Sequence, residues 1–396
     1  MDFYIKSNKL GLYSQIISIG LKAFTYLFIL KYISPKIYGE SVFQLTIMGF
    51  SLILADSGGS SAIFSHKQLS ESKINQYFSS SVTYSLILTF IIFLFAIIQK
   101  ENTNFNTYLI ISILILVSPA NNVLISVIQK YNFNNYFYFS RNFRDFISFL
   151  SSLYLIYIKN YKLALFLPQL FGEIILFLLL IKFINTNIHK IKYSLKIERE
   201  VIKRNYHLFC TKILNYFSLN WLYLGFVKFN MIDVATLNMA NSFWKNLSES
   251  LKNVFQKSYI MIPYNNRFDV FKNSKYFIKF NFKYLLPLVL FSSTFIAFFL
   301  NYYANGVWVG SIKYVYIFGI YGALLFLFPP LTPVYIVNDK TDKIFKNSII
   351  QFLLNLITMF IVFIFKMPII FAFVLTLSYH IISYFLLFIG LKKIFT

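Results

Sequence analysis

The sequence predicts an all-α polytopic membrane protein of about twelve transmembrane helices, and three observations carry that expectation. The chain of 396 residues is 58% hydrophobic and 21% aromatic, with a mean hydropathy of +0.63. Soluble domains need far more surface charge than that composition supplies. Apolar runs of roughly 20 residues, the length that crosses a hydrocarbon core of about 30 Å, recur from one end of the chain to the other. Finally, the 37 Lys and Arg residues are sorted by membrane side, as the spans themselves make visible.

The expected spans, in order, are 10–30, 41–64, 78–98, 107–128, 143–158, 162–181, 206–227, 233–262, 284–304, 314–336, 347–365 and 368–390. Met1–Lys9 is short and basic, and no small-residue cleavage site follows it, so the first span is expected to be retained. With the N-terminus inside, 24 of the basic residues fall in cytoplasmic segments, eight fall on the opposite side and five lie within spans. That bias obeys the positive-inside rule, and it also checks the helix count, because a missed span would scramble every later loop. The formal net charge of +23 is therefore read as topology, with both termini cytoplasmic and no nucleic-acid partner. A span starting at 143 is short, and one covering 233–262 is long and poor in apolar residues.

The longest and most basic connection, about 182–205, divides the spans six and six. The expected domains are an N-terminal six-helix bundle, 1–190, and a C-terminal six-helix bundle, 191–396. Six is even, so an internal repeat would be parallel. A faint trace of one exists: Leu30-Lys31-Tyr32 follows the first span and Val227-Lys228-Phe229 follows the seventh.

Inside hydrocarbon an unpaired charge costs about 2.5 kcal/mol or more at a helix centre, so charges within spans are functional candidates. In span eight Asn238, Asn241, Lys245, Ser248, Glu249, Lys252 and Gln256 recur at three and four residues and share one helical face. Lys245, Glu249 and Lys252 leave that face net positive. It reads either as an internally neutralised amphipathic stripe or as the lining of a wet, cationic cavity. Span one carries Ser14, Ser18, Lys22 and Thr25 at the same spacing. Lys22 sits near the middle, too deep to snorkel comfortably. Lys212 in span seven lies close to the cytoplasmic end, where snorkelling is an equal explanation. Of the acids, Asp56 precedes Ser57-Gly58-Gly59-Ser60-Ser61, and Glu173 lies mid-span after Pro168. Each is a candidate for ion or proton coupling, or a structural partner for Lys22 or Lys212 across helices.

Catalytic and metal chemistry find little support. The single Cys210 excludes a disulfide framework. The four histidines, His66, His189, His207 and His380, form no metalloprotease motif, and there is no GxSxG, Walker loop or dinucleotide fingerprint. Asp339 and Asp342 read as a solvated turn. No catalytic residue, metal or cofactor is expected, and the shortness of the external loops argues against a membrane glycosyltransferase.

Several stretches taken together resemble one family. Tyr32-Ile33-Ser34-Pro35-Lys36-Ile37-Tyr38-Gly39 is similar to an extended Leu-Ser-Pro-x-x-Tyr-Gly turn, and Ala55–Ala62 to an acid-plus-small-residue end of helix two. Lys228-Phe229 through Ala240-Asn241, Ile262-Pro263-Tyr264 and Asp339-Lys340-Thr341-Asp342 continue the likeness. The chain resembles the Wzx-type O-antigen and polysaccharide flippases of the multidrug/oligosaccharidyl-lipid/polysaccharide (MOP) export superfamily. That resemblance implies two six-helix bundles around a central cavity, in the bacterial inner membrane. It also implies translocation of undecaprenyl-pyrophosphate-linked repeat units to the periplasmic leaflet for lipopolysaccharide or other surface polysaccharide. The partners it implies are the lipid-linked oligosaccharide, membrane lipids, and polymerase and chain-length proteins of the same pathway. Lys22, Lys245, Lys252, Glu249 and Lys212 are the expected substrate-binding residues, with Asp56 and Glu173 expected for coupling. The alternatives are a membrane polymerase or ligase of that pathway, or a small-molecule exporter of the same superfamily.

Overall fold

A computed structural model of the chain describes residues 9–56, 60, 63, 69–98, 105–194, 199–226, 231–242, 244, 279, 282–283, 286–303, 307–326, 331, 335 and 340–390. Among the described residues the regular structure is helical throughout. In chain order the helices are α1 (Lys9–Tyr32), α2 (Pro35–Asp56), α3 (Glu71–Ile98), α4 (Phe105–Lys130), α5 (Asn134–Tyr157) and α6 (Leu167–Asn187). There follow α7 (Arg199–Phe226), α8 (231–242), α9 (Leu286–Tyr302), α10 (Ile312–Phe326), α11 (Thr341–Ile364) and α12 (Ile369–Gly390). Six of them, α2, α3, α4, α6, α11 and α12, are long and apolar enough to cross a membrane by length and composition alone. Lipid-facing surface is plain on α3, where Phe90, Ile91, Leu94 and Ile98 are all exposed.

Helix ends follow local chemistry. Pro35 opens α2, where its missing N–H costs nothing, and the Ser34 carbonyl accepts from Tyr38 N–H at 3.1 Å. Asn132, Lys159 and Lys366 take left-handed φ of 63°, 59° and 49° just past α4, α5 and α11. There the amides of Phe133, Asn160 and Met367 reach back to carbonyls in the preceding turn, the usual way a helix satisfies its last carbonyls.

One expected span is corrected. The fifth was placed at 143–158, with Arg141 and Arg144 in a cytoplasmic segment, but α5 runs from Asn134. Its guanidinium at Arg144 is paired with carboxylates inside the bundle, so the helix does not have to begin after its charges.

The chain divides into two compact units, residues 1–32 with 43–213 and residues 33–42 with 214–396. In the first, α3 packs on α4, α1 and α6 pack on α5, and α4 packs on α6. One apolar cluster joins Ile74, Phe78, Val123, Val127, Leu176 and Leu180, and a second joins Met48, Ile111, Leu114, Ile115, Phe166 and Leu170. After α6 the chain lies along α3: Lys192 N–H donates to Asn75 Oδ1 at 2.9 Å and Ser194 N–H to Ser79 Oγ at 3.0 Å. His189 pairs with Glu71 at 2.9 Å. Glu71, Asn75 and Ser79 are four apart, so one helix face receives the whole segment.

In the second unit, α11 packs on α12, α9 on α10, and α10 on α12. Its core includes Trp308, Tyr314 and Tyr335, all at most 2% exposed, with Phe318 and Phe373 rings 4.6 Å apart. Gly322 on α10 lies against the Trp244 ring so closely that a Cβ there would overlap it. Overpacking of this kind costs about 1–3 kcal/mol. Gly322→Ala is therefore expected to lower the thermal midpoint of the detergent-purified protein by several degrees, while Gly20→Ala, where nothing lies within 4 Å, leaves it unchanged or raised. Equal midpoints for the two variants would contradict the packing described.

Candidate functional site

Among the described residues, the densest charge cluster within helices is built on α1, α5 and α6 in the first unit. On α5, Ser140, Arg141, Arg144, Asp145, Ser148, Ser151 and Ser152 recur at three and four residues and form a polar stripe. On α6, Gly172 lets that stripe come close: a Cβ there would overlap Ser148 Oγ and stand 2.9 Å from Arg144 Cγ. The next residue is Glu173. Arg144 Nη1 donates to Glu173 Oε1 at 3.2 Å, and its Nη2 and Nε donate to Asp145 Oδ1 at 2.7 and 3.0 Å. The second Glu173 oxygen accepts from Asn121 Nδ2 at 2.6 Å, which also reaches the Glu173 carbonyl at 2.8 Å. Asn121 is 1% exposed, so α4 supplies the anchor for the acid.

Helix α1 completes the cluster from the other side. Ser18 Oγ donates to Asp145 Oδ2 at 2.5 Å, and Lys22 Nζ stands 3.8 Å from the same oxygen. One turn earlier, Ser14 Oγ donates to Asn142 Oδ1 at 3.1 Å. Arg141 adds its field to Asp145. Among the described residues, three cations thus face two carboxylates in a region where an isolated charge is expensive. Lys22 and Arg144 keep side-chain exposures of 27% and 20%, against 5% for Asp145. The cations are reachable and the acids are not, so the cluster presents its positive groups.

The other candidates divide clearly. Lys212 and Asp56 form a pair at 2.6 Å, with Ser60 Oγ donating to the same carboxylate oxygen at 3.0 Å. Asp56 and Glu173 are therefore each held by a cation, the former by Lys212 and the latter by Arg144. Lys245, Glu249 and Lys252 lie outside the described residues. Two members of their expected stripe are described: Asn238 accepts from Tyr38 OH at 2.9 Å, and Asn241 donates to Tyr223 OH at 2.8 Å. Among the described residues no group of three or more His, Cys, Asp or Glu converges as a metal site. Arg144, Asp145 and Asn121 are absent from the sequence-derived candidates, although the polar spacing on α5 was a signal for the first two.

Residues 30–268 match the family model described as "Polysaccharide biosynthesis protein". The chain belongs to this polysaccharide biosynthesis protein family. No curated protein matches the sequence. Among solved structures, the chain is similar to the lipid II flippase MurJ in an inward closed conformation, with TM-score 0.62 and 17% identity over 99% of this chain and 89% of that one. It is similar to an inward-facing multidrug resistance MATE family transporter of the MOP superfamily, at TM-score 0.67 and 12% identity over 95% of both chains. A MOP superfamily transporter from Pyrococcus furiosus matches at TM-score 0.61 and 10% identity, over 96% of this chain and 94% of that one. The likeness to these solved structures is one of fold.

Removing one member of a buried ion pair strands its partner, which costs about 3–5 kcal/mol. Arg144→Gln is expected to lose that much, seen as a sharp drop in folded yield and thermal midpoint. Adding Asp145→Asn and Glu173→Gln to the same chain restores most of it. A triple variant no better than the single one would show that the cluster is not the coupled unit described.

Proposed function

We propose that this chain flips undecaprenyl-pyrophosphate-linked oligosaccharide repeat units from the cytoplasmic to the periplasmic leaflet, as a Wzx-type flippase of O-antigen or related surface polysaccharide. The observation that carries the reading is the gathering of Lys22, Arg141 and Arg144 about Asp145 and Glu173 inside a transporter fold, in a family named for polysaccharide biosynthesis. A lipid diphosphate bearing a polar glycan needs a wet path that meets its negative charge at depth. Arg144 and Lys22 can offer that charge from the parts of their side chains that stay exposed, while Asp145 and Glu173 remain in place as their counter-ions. A guanidinium suits this role because its planar fork accommodates carboxylate and phosphate oxygens alike.

In this reading Lys245 and Lys252, balanced by Glu249, extend the cationic path, and Lys212 joins it when released from Asp56. Glu173 and Asp56 hold their cations ready between cycles. The chain acts as a transporter and not as an enzyme, in the bacterial inner membrane with both termini cytoplasmic and one six-helix bundle on each side of the basic segment near residue 190. Polymerase and chain-length proteins receive the repeat units it delivers.

The test is the sidedness of the lipid-linked oligosaccharide in a null strain. Single repeat units are expected to accumulate in the cytoplasmic leaflet, and normal delivery to the periplasm would sink the proposal. In the complemented strain, Lys22→Ala with Lys245→Ala and Lys252→Ala should abolish surface glycan at normal protein level. Full surface polysaccharide from that triple variant would remove these lysines from the substrate path.

A further inference from the structure

Transport against a gradient needs a group at membrane depth whose charge changes during the cycle, and the described acids of the first unit are poorly placed to provide it. Asp56, Asp145 and Glu173 are each tied to a cation. The second unit contains a different arrangement. On α11, the partly exposed Asn347 and the buried Gln351, Asn355 and Thr358 lie on one face at helical spacing. Facing it, α12 buries Thr376, His380 and Ser383. Two cross-helix contacts bracket the seam: Asn347 Nδ2 meets Ser383 Oγ at 2.5 Å, and Thr358 Oγ1 meets Tyr379 OH at 3.1 Å. Between those brackets, Gln351 and Asn355 are 3% and 2% exposed. Gln351 Nε2 and Asn355 Oδ1 have no hydrogen-bond partner.

Unmet amide groups at this depth demand a polar occupant, because a lipid interior offers them nothing. Water is the occupant that suits both a donor and an acceptor. His380 is the twelfth residue of the 22 in α12, at the middle of the helix, and is buried between Thr376 and Ser383 on the same face. The Tyr321 ring of α10 lies 6.4 Å from its imidazole. Among titratable groups on the packed helices, α10 carries Tyr314, Tyr316 and Tyr321 with Lys313 at its start, and α11 carries Asp342, Lys343 and Lys346 in its first two turns. On α12 itself the others are Tyr379 and Tyr384. The lysines and the aspartate are at helix ends. Among the described residues at the middle of these helices, His380 is the side chain of the type whose ordinary titration range lies near neutrality.

We infer that His380, served by water held on Gln351 and Asn355, is the proton-binding site that couples this transporter to the proton gradient. The imidazole takes a proton from water connected to the outer side, becoming cationic, and gives it to water connected to the inner side, returning to neutral. This inference rests on the transport reading, since a coupling site has meaning only in a transporter.

The experiment uses the purified full chain in liposomes of phosphatidylethanolamine and phosphatidylglycerol, adsorbed on a solid support, with charge movement recorded after a jump from about pH 8 to about pH 6, the range in which histidine titrates. No polysaccharide substrate is added. The wild-type chain is expected to give a proton-binding transient, His380→Gln to lose it, and His189→Gln to retain it. Asn355→Leu keeps the histidine and is expected to shift the pH midpoint of the transient. A wild-type chain without a transient, a His380→Gln transient equal to wild type, or an unmoved midpoint in Asn355→Leu would overturn the assignment. The leaflet assay of the null strain involves no proton measurement, so failure here leaves the flippase reading to be judged separately.

Discussion

The constraint on which the rest of the first unit depends is that Arg144 must never be alone. A guanidinium inside a membrane-spanning helix is tolerated when counter-charge and hydrogen bonds are already in position. Asp145 supplies one counter-charge from the same helix, Glu173 another from α6, and Asn121 holds Glu173 from α4. Ser18 and Lys22 then tie the remaining Asp145 oxygen to α1. Four helices are thus brought into register by one side chain, and the apolar clusters fill the space that this register leaves.

Among the described residues the two units handle buried polarity differently. In the first, opposite charges meet within hydrogen-bond distance and neutralise one another. In the second, amides, hydroxyls and one imidazole line the α11–α12 seam with no carboxylate or ammonium at mid-depth on those helices. A charge network is strong and expensive to rearrange, since each broken pair exposes two ions to a medium that does not solvate them. An amide seam is weaker, but its members reorient without crossing a charge barrier.

Most of the fold was legible in the sequence because hydrocarbon imposes a simple rule. Helices must be about twenty residues long, and the basic residues of their connections sort by side. The expected spans recover α1 to α4, α6, α7 and α9 to α12 to within several residues at most ends. The misplaced start of α5 shows where the rule stops working. A window that scores Arg141, Arg144 and Asp145 as solvent-loving cannot know that their partners wait on α1 and α6, because pairing is a tertiary property. For the same reason Lys22, Lys212, Asp56 and Glu173 could be picked out as buried charges, while who pairs with whom could not. The alternative of Glu173 serving Lys22 or Lys212 gave way to Arg144, which the sequence had assigned to the cytoplasmic side.

The bare α-carbon at Gly172 has a consequence for how this protein can drift over evolutionary time. Its missing methyl is the space in which Ser148 and the stem of Arg144 lie, so helix spacing and charge pairing are set at one point. A lineage that enlarges residue 172 has to shrink its neighbours on α5 or abandon the arginine. One that abandons the arginine is free to fill the gap. Residues 144, 148, 172 and 173 therefore form a single heritable unit, and substitutions among them should be read together, as one change of internal counter-ion.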